Sequence, residues 1–221
     1  MLGRIFQLIN QDRSVLYPAM IMEFLNLWLL KLLQQLPEQQ MLLVLLIPGL
    51  LAIFIHLFTA ECARQLILRK NLTIASALGV SLQRYLPALF FSVLLPAPFL
   101  AALFLLAGSI WVWMLTPILF LAILFLGVYP VVYVLSGVTA FKVYRAIWLY
   151  FRRKPVQIWR IFLFFTVITF CFNALVLPLS NTLPGNVSSV LIPLLGGFRT
   201  VLLVYGLVLF FLGDQQISEL V

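Results

Sequence analysis

The sequence has few charged residues, and this shortage alone limits the class of protein. Only 9% of its 221 residues are charged, whereas 64% are hydrophobic. An ordinary soluble domain is about 25% charged and roughly 45–50% apolar, so this chain lacks the polar side chains that a water-exposed surface needs. Long apolar runs recur along nearly the whole sequence. They predict a polytopic membrane protein, a single integral membrane domain over 1–221.

Cysteine and histidine are scarce too, which argues against several kinds of chemistry. Cys62 and Cys171 have no CxxC spacing, and His56 is the single histidine. Zinc and iron–sulfur centres, bis-histidine haem ligation and a Ser-His-Asp triad therefore lack their residues. Walker, Rossmann, GxSxG and HExxH motifs are absent from the sequence as well. We predict no catalytic residues, no metal site, no cofactor and no enzyme activity.

Six apolar segments are long enough to cross a membrane as helices. A hydrocarbon core about 30 Å thick requires about 20 helical residues, whose backbone groups must be paired within the helix. The predicted spans are 15–36, 41–60, 85–107, 110–136, 158–179 and 190–212. The predicted fold class is therefore all-α, a polytopic helical membrane protein with six transmembrane helices.

Lysine and arginine are divided unequally between the two sides of these spans. Basic residues lie at 4–13, 64–84 and 142–160, whereas the connections 36–40, 107–109 and 180–189 contain none. Because cytoplasmic connections retain positive charge, we predict that both termini are cytoplasmic in a cell (inner) membrane. This arrangement explains the net charge of +8 without a nucleic-acid partner.

The basic connection after the fourth span also contains apolar and aromatic residues at helical spacing. Such a pattern is typical of a helix that lies in the membrane interface. Five of its residues are candidate contacts for anionic lipid headgroups: Lys142, Arg145, Arg152, Arg153 and Lys154. Positive charge here also fixes topology, so specific lipid recognition and simple orientation stay open as alternatives.

Three tracts share an order of basic residue, proline and apolar run. Residues 13–25 resemble residues 82–95, with Tyr-Pro-Ala set against Leu-Pro-Ala, and residues 152–165 follow a similar order. Since each tract opens a pair of spans, we predict three consecutive helical hairpins over about 1–62, 63–140 and 141–221. Each hairpin is preceded by a basic or amphipathic cytoplasmic segment.

This layout resembles that of a group of six-span bacterial membrane proteins, similar to the membrane domain found before some glycerophosphodiester phosphodiesterases. The resemblance rests on basic amphipathic stretches followed by apolar hairpins, as in 75–91 and 140–165. No catalytic motif accompanies it. The resemblance therefore implies a membrane-embedded module of unsettled activity.

Two ionisable residues are predicted near the middle of the membrane. Glu23 lies nine residues beyond Ser14, and Arg199 lies nine residues beyond Val190, so each is about 13 Å inside its span. A charge at this depth costs at least about 2.5–3.5 kcal/mol and needs a partner. We predict an ion pair between the first and last spans, with Asn26 one turn from Glu23 as a hydrogen-bonding neighbour. A structural link and a proton or substrate site are both compatible with it.

Two classes of function follow from these residues. The first is a non-enzymatic membrane module or accessory subunit that packs against lipid or a membrane-protein partner. The alternative is a small-solute or lipid transporter that uses the midplane polar site, since Pro193 beside Gly196 and Gly197 predicts a breakable sixth span. A water-filled cleft that reaches Glu23 would favour transport, and a tightly packed interior would favour the module.

The predicted orientation is testable by cysteine labelling. A Ser188→Cys variant, made in a Cys62→Ala and Cys171→Ala background, should react with a membrane-impermeant thiol reagent from the non-cytoplasmic side. The reason is that its connection contains no lysine or arginine. Labelling of intact cells and of inverted vesicles measures the difference. Labelling from the cytoplasmic side alone would overturn the orientation.

Overall fold

The computed structural model describes residues 2–33, 41–68, 73–94 and 127–213. Its helices are α1 (Leu2–Gln11), α2 (Leu16–Leu33), α3 (Met41–Ile67), α4 (Ile74–Leu94), α5 (Gly127–Ser136), α6 (Ala140–Arg153), α7 (Pro155–Thr182) and α8 (Gly185–Gly213). A short 3₁₀ turn, Arg13–Val15, joins α1 to α2. These ranges contain no strand, which confirms the all-α prediction for the described part of the chain.

Several of these helices are long and apolar enough to cross a membrane. Four pass this test on their own in the described ranges, namely α3, α4, α7 and α8, and α5 with α6 forms a fifth if the bent pair is one span. Helix α2 contains a shorter apolar stretch, Leu16–Leu29. The apolar helices indicate a multi-pass membrane protein. Six spans and the three-hairpin arrangement stay predictions, because residues 95–126 lie outside the described residues.

Helix α8 is the element around which the others pack. Its most extensive contact is with α2, and it also packs against α3 and α7. A Cβ atom added at Gly197 would lie 2.8 Å from the Met20 Cα, so only glycine fits where α8 crosses α2. At Gly206 a Cβ atom would lie 2.3 Å from the Phe164 ring of α7. Glycine on two sides of α8 thus permits close approach by two neighbouring helices.

The sixth predicted span, which the sequence marks as breakable, is a continuous helix. Helix α8 runs from Gly185 to Gly213 and includes Pro193 within it. Gly196 and Gly197 face α2 instead of opening the helix. Packing against α2 and α7 supplies the order that the local sequence lacks, because partner helices stabilise proline- and glycine-containing segments.

The chain turns sharply between α5 and α6. The two helices meet at an angle of 104° across a break of at most four residues. Gly137 lies in this break with a φ of 65°, a left-handed conformation that glycine adopts without strain. Helix α6 is therefore a separate amphipathic helix, in agreement with the pattern at 140–153. The segment 75–91 differs, since α4 runs without interruption from Ile74 through Pro87.

The side chain of Arg84, within α4, contacts the end of α5. Its Nη1 donates to the backbone oxygen of Val134 at 2.9 Å and to that of Tyr133 at 3.3 Å, and the guanidinium lies 5.7 Å from the Tyr133 ring centre. Both oxygens belong to the last turn of α5, where carbonyl groups lack partners within the helix. Arg84, predicted in the basic connection before the third span, thus lies within α4 and caps the end of α5.

The close approach at Gly197 predicts a specific effect on stability. Gly197→Ala should lower the free energy of unfolding by about 1–3 kcal/mol, because the added methyl group has no space beside Met20. The matched control is Gly79→Ala in α4, where a Cβ atom meets nothing within 4 Å. This control should be neutral or stabilising by up to about 1 kcal/mol. Thermal unfolding in a mild detergent measures both, and equal midpoints would contradict the close contact.

Candidate functional site

The candidate polar site lies where α2 and α8 cross. The Thr200 hydroxyl donates to Glu23 Oε1 at 3.1 Å. Glu23 is half-buried near the middle of α2, and Thr200 is only 6% exposed. A Cβ atom at Gly196 would lie 3.6 Å from the Glu23 Oε2, so the carboxylate rests against the backbone of α8. The site is a carboxylate held between two closely packed helices.

Helical spacing on α8 explains how this contact forms. Gly196 and Thr200 are four residues apart, so both lie on the side of α8 that faces α2. The glycine leaves room for the Glu23 side chain, and the threonine supplies a hydroxyl donor one turn later. Small residues with a hydroxyl nearby are the usual means by which helices associate in a membrane.

Arg199 does not form the direct ion pair predicted with Glu23. The two residues lie on contacting helices, as expected from their similar depth, and Arg199 is the central residue of α8. Within the described ranges, however, no nitrogen of Arg199 lies within 4.0 Å of a Glu23 oxygen. At about 100° per residue, Gly196 and Gly197 lie within about 60° of Thr200 around α8, whereas Arg199 lies about 100° from Thr200 and roughly 160° from Gly197, at the edge of the face that meets α2.

The remaining member of the predicted polar site cannot be placed. Asn26 belongs to α2, but its side chain lies outside the described residues. Glu23 and Arg199 are both half-buried. The site therefore retains its predicted helices and its carboxylate, with Thr200 in the position proposed for the arginine. Its functional role stays a prediction.

A second polar cluster surrounds Glu61, a residue that the sequence marks as a candidate without indicating Arg64 and Gln65 as its partners. Glu61 is completely buried. Its carboxylate accepts from Arg64 Nε at 2.8 Å, from Arg64 Nη2 at 2.6 Å and from Gln65 Nε2 at 3.0 Å. The signal is present in the sequence, because residues three and four apart on a helix are neighbours. A carboxylate with three donors is satisfied inside one helix and needs no partner from another span.

The chemistry of these clusters is that of single carboxylates with nearby donors. Such a group links helices and, when water reaches it, exchanges a proton. The part of the chain that the structure describes contains no group of three or more His, Cys, Asp or Glu residues placed to hold a metal ion. Buried oxygens of Thr59, Gln65 and Tyr205 have no hydrogen-bond partner in that same part.

The structure places most of the predicted headgroup contacts on one exposed surface. Lys142, Arg145, Arg152 and Arg153 are all exposed on α6. Lys154 differs from them, because it is half-buried in the junction between α6 and α7, where its backbone N–H donates to the Tyr150 oxygen at 3.0 Å. Four of the five residues are therefore accessible to a ligand at the membrane surface.

No family model, curated protein or solved structure matches the chain. The resemblance to membrane domains that precede glycerophosphodiester phosphodiesterases stays a prediction.

The Glu23–Thr200 contact predicts coupling between the two residues. Thr200→Val should lower the free energy of unfolding by about 1–3 kcal/mol, because a partly buried carboxylate loses its hydroxyl donor. Combined with Glu23→Leu, the same change should cost much less, since no carboxylate then needs a donor. Thr166→Val on the exposed face of α7 is the control and should add independently. Additive losses for the Glu23 and Thr200 variants would reject the contact.

Proposed function

We propose that the chain is a non-enzymatic membrane module that serves as an accessory subunit within the lipid bilayer, with a membrane protein as its partner. On this proposal the module belongs to a cell (inner) membrane, has both termini in the cytoplasm and needs no cofactor. The resemblance in layout to membrane domains that precede some glycerophosphodiester phosphodiesterases supports this role. The function lies in the folded helices themselves and in the surfaces that they present.

One observation carries the proposal, and it is the close packing around Glu23. The α8 backbone at Gly197 touches the α2 backbone at Met20, and Thr200 beside it is almost completely buried. A transport pathway through this site needs water or substrate to reach the carboxylate. Contact between the two backbones leaves no such space on that side of Glu23, which favours a structural role for the hydrogen bond.

The transporter interpretation remains the competing function, because a carboxylate and an arginine near the centres of their helices are expensive to bury. It requires α2 and α8 to separate during a cycle. A module requires them to stay together. The two functions therefore differ in whether water ever reaches the face of α8 that carries Thr200.

Thiol reactivity at this face distinguishes the two functions. Thr200→Cys, made in a Cys62→Ala and Cys171→Ala background, places a thiol beside Glu23. The cysteine thiolate attacks the thiol reagent, so labelling by a water-soluble, membrane-impermeant reagent needs contact with water. We expect no labelling of the intact protein in vesicles from either side over the time that fully labels an accessible cysteine.

Ser188→Cys in the same background is the matched control, because Ser188 lies near the start of α8 and is only half-buried. It should label readily, and Thr200→Cys should label only after denaturation. Slow but complete labelling of Thr200→Cys in the folded protein would contradict the module and favour the transporter. A thermal midpoint equal to that of the parent protein would show that the variant retains its fold.

A further inference from the structure

Helix α6 has two faces of different chemistry. The buried face includes Val143, Ile147 and Tyr150, and it packs towards α4 and α7. The Tyr144 hydroxyl donates to the Phe91 backbone oxygen and ties α6 to α4. The exposed face contains Phe141, Lys142, Arg145, Trp148, Arg152 and Arg153. The inner face thus holds α6 on the bundle. On the outer face, Phe141 meets the Phe91 ring of α4 edge-on at 6.2 Å between ring centres, while Lys142, Arg145, Arg152 and Arg153 form no salt bridge within the described part of the chain.

Aromatic and arginine residues repeat along the exposed face. Arg145 follows Phe141 by four residues, and Arg152 follows Trp148 by four. These two aromatic–arginine pairs are seven residues apart, which places them about 10 Å apart along the helix with a rotation of only about 20° between them. Phe141 and Trp148 are 71% and 63% exposed. An aromatic ring at the hydrocarbon boundary beside an arginine at headgroup level is typical of an interfacial helix.

The bend at Gly137 orients this face. Helix α5 is apolar, and α6 leaves it at 104°. With α5 in the span direction, α6 runs along the membrane surface. Both aromatic–arginine pairs then lie at the same depth, because α6 is parallel to the layer of lipid headgroups.

The positive charges of α6 have no acidic partner in the described chain. The sequence contains no Asp or Glu between Glu61 and Asp214. The described acids, Asp12, Glu23 and Glu61, accept hydrogen bonds from other residues. Arg152 and Arg153 suit the C-terminal turn of α6, but Lys142 lies in its first turn, where positive charge opposes the helix dipole. An anion from outside the chain would satisfy them.

We propose that the exposed face of α6 binds the phosphates of anionic phospholipid headgroups, with Arg145 and Arg152 as the principal contacts. Phe141 and Trp148 insert at the hydrocarbon boundary, and Lys142 adds charge beside them. Arginine suits this role because its planar guanidinium pairs with two phosphate oxygens at once. This binding does not depend on whether the bundle is an accessory module or a transporter.

The test is equilibrium binding of a fluorescent short-chain phosphatidylglycerol to the full-length protein in a neutral detergent. The comparison ligand is phosphatidylcholine with the same chains and label. The wild-type protein should prefer phosphatidylglycerol. Arg145→Gln combined with Arg152→Gln should weaken phosphatidylglycerol binding about 30-fold, which corresponds to about 1 kcal/mol for each lost charge. Phosphatidylcholine binding should not change.

Arg4→Gln combined with Arg13→Gln is the matched control, since it removes two exposed arginines outside α6. It should change phosphatidylglycerol binding much less. Arg145→Lys with Arg152→Lys should retain part of the preference, and about 1 M salt should abolish it in the wild type, where screening acts within about 3 Å. Equal losses for the two glutamine pairs, equal affinities for the two lipids or salt-insensitive binding would each overturn the proposal.

Discussion

The close approach of α2 and α8 is the contact on which the rest of the bundle depends. Lipid tails are as apolar as leucine side chains, so helices in a membrane gain little from hydrophobic burial against each other. Their association requires van der Waals contact and hydrogen bonds. Gly197 allows the two backbones to touch, and this contact brings the Thr200 hydroxyl within 3.1 Å of Glu23. With α2 fixed on α8, α3 can pack against both.

Other polar side chains in the bundle also find their hydrogen-bond partners among groups that lie close to them. Glu61 takes its donors from the next turn of its own helix, and Arg84 takes its acceptors from the unpaired carbonyl groups at the end of α5. Each arrangement removes a cost that an apolar environment would otherwise impose. The Arg84 contact also fixes the position at which α5 ends and the chain turns into α6. A single side chain in α4 thus helps to orient the amphipathic helix.

The sequence predicted helices and their neighbours better than it predicted side-chain partners. Apolar length identifies α3, α7 and α8. Glu23 and Arg199 lie on helices that contact each other, and their similar depth in a membrane stays a prediction. The depth of a residue in the membrane does not give the direction in which its side chain points around the helix. The sequence therefore predicted Arg199 as the partner of Glu23, whereas the structure pairs Glu23 with the adjacent Thr200. Likewise, its positive charge alone predicts that Arg84 lies at the surface. In the folded chain, Arg84 donates to carbonyl groups of α5, which is distant in sequence. Such contacts depend on packing that local patterns do not encode.

Acidic and basic residues occupy different parts of this molecule. The acidic residues have hydrogen-bond donors within the chain, whereas the basic residues of α6 do not have acidic partners in its described part. The described carboxylates are few and each accepts a hydrogen bond from a nearby residue, so none is left to neutralise α6. The exposed basic residues of α6 are long, and their charged ends reach water or headgroups while their stems cover apolar surface. The described carboxylates are therefore satisfied by contacts within the bundle, whereas the basic residues of α6 are exposed at its surface. In a bilayer, the abundant anions at that level are lipid phosphates.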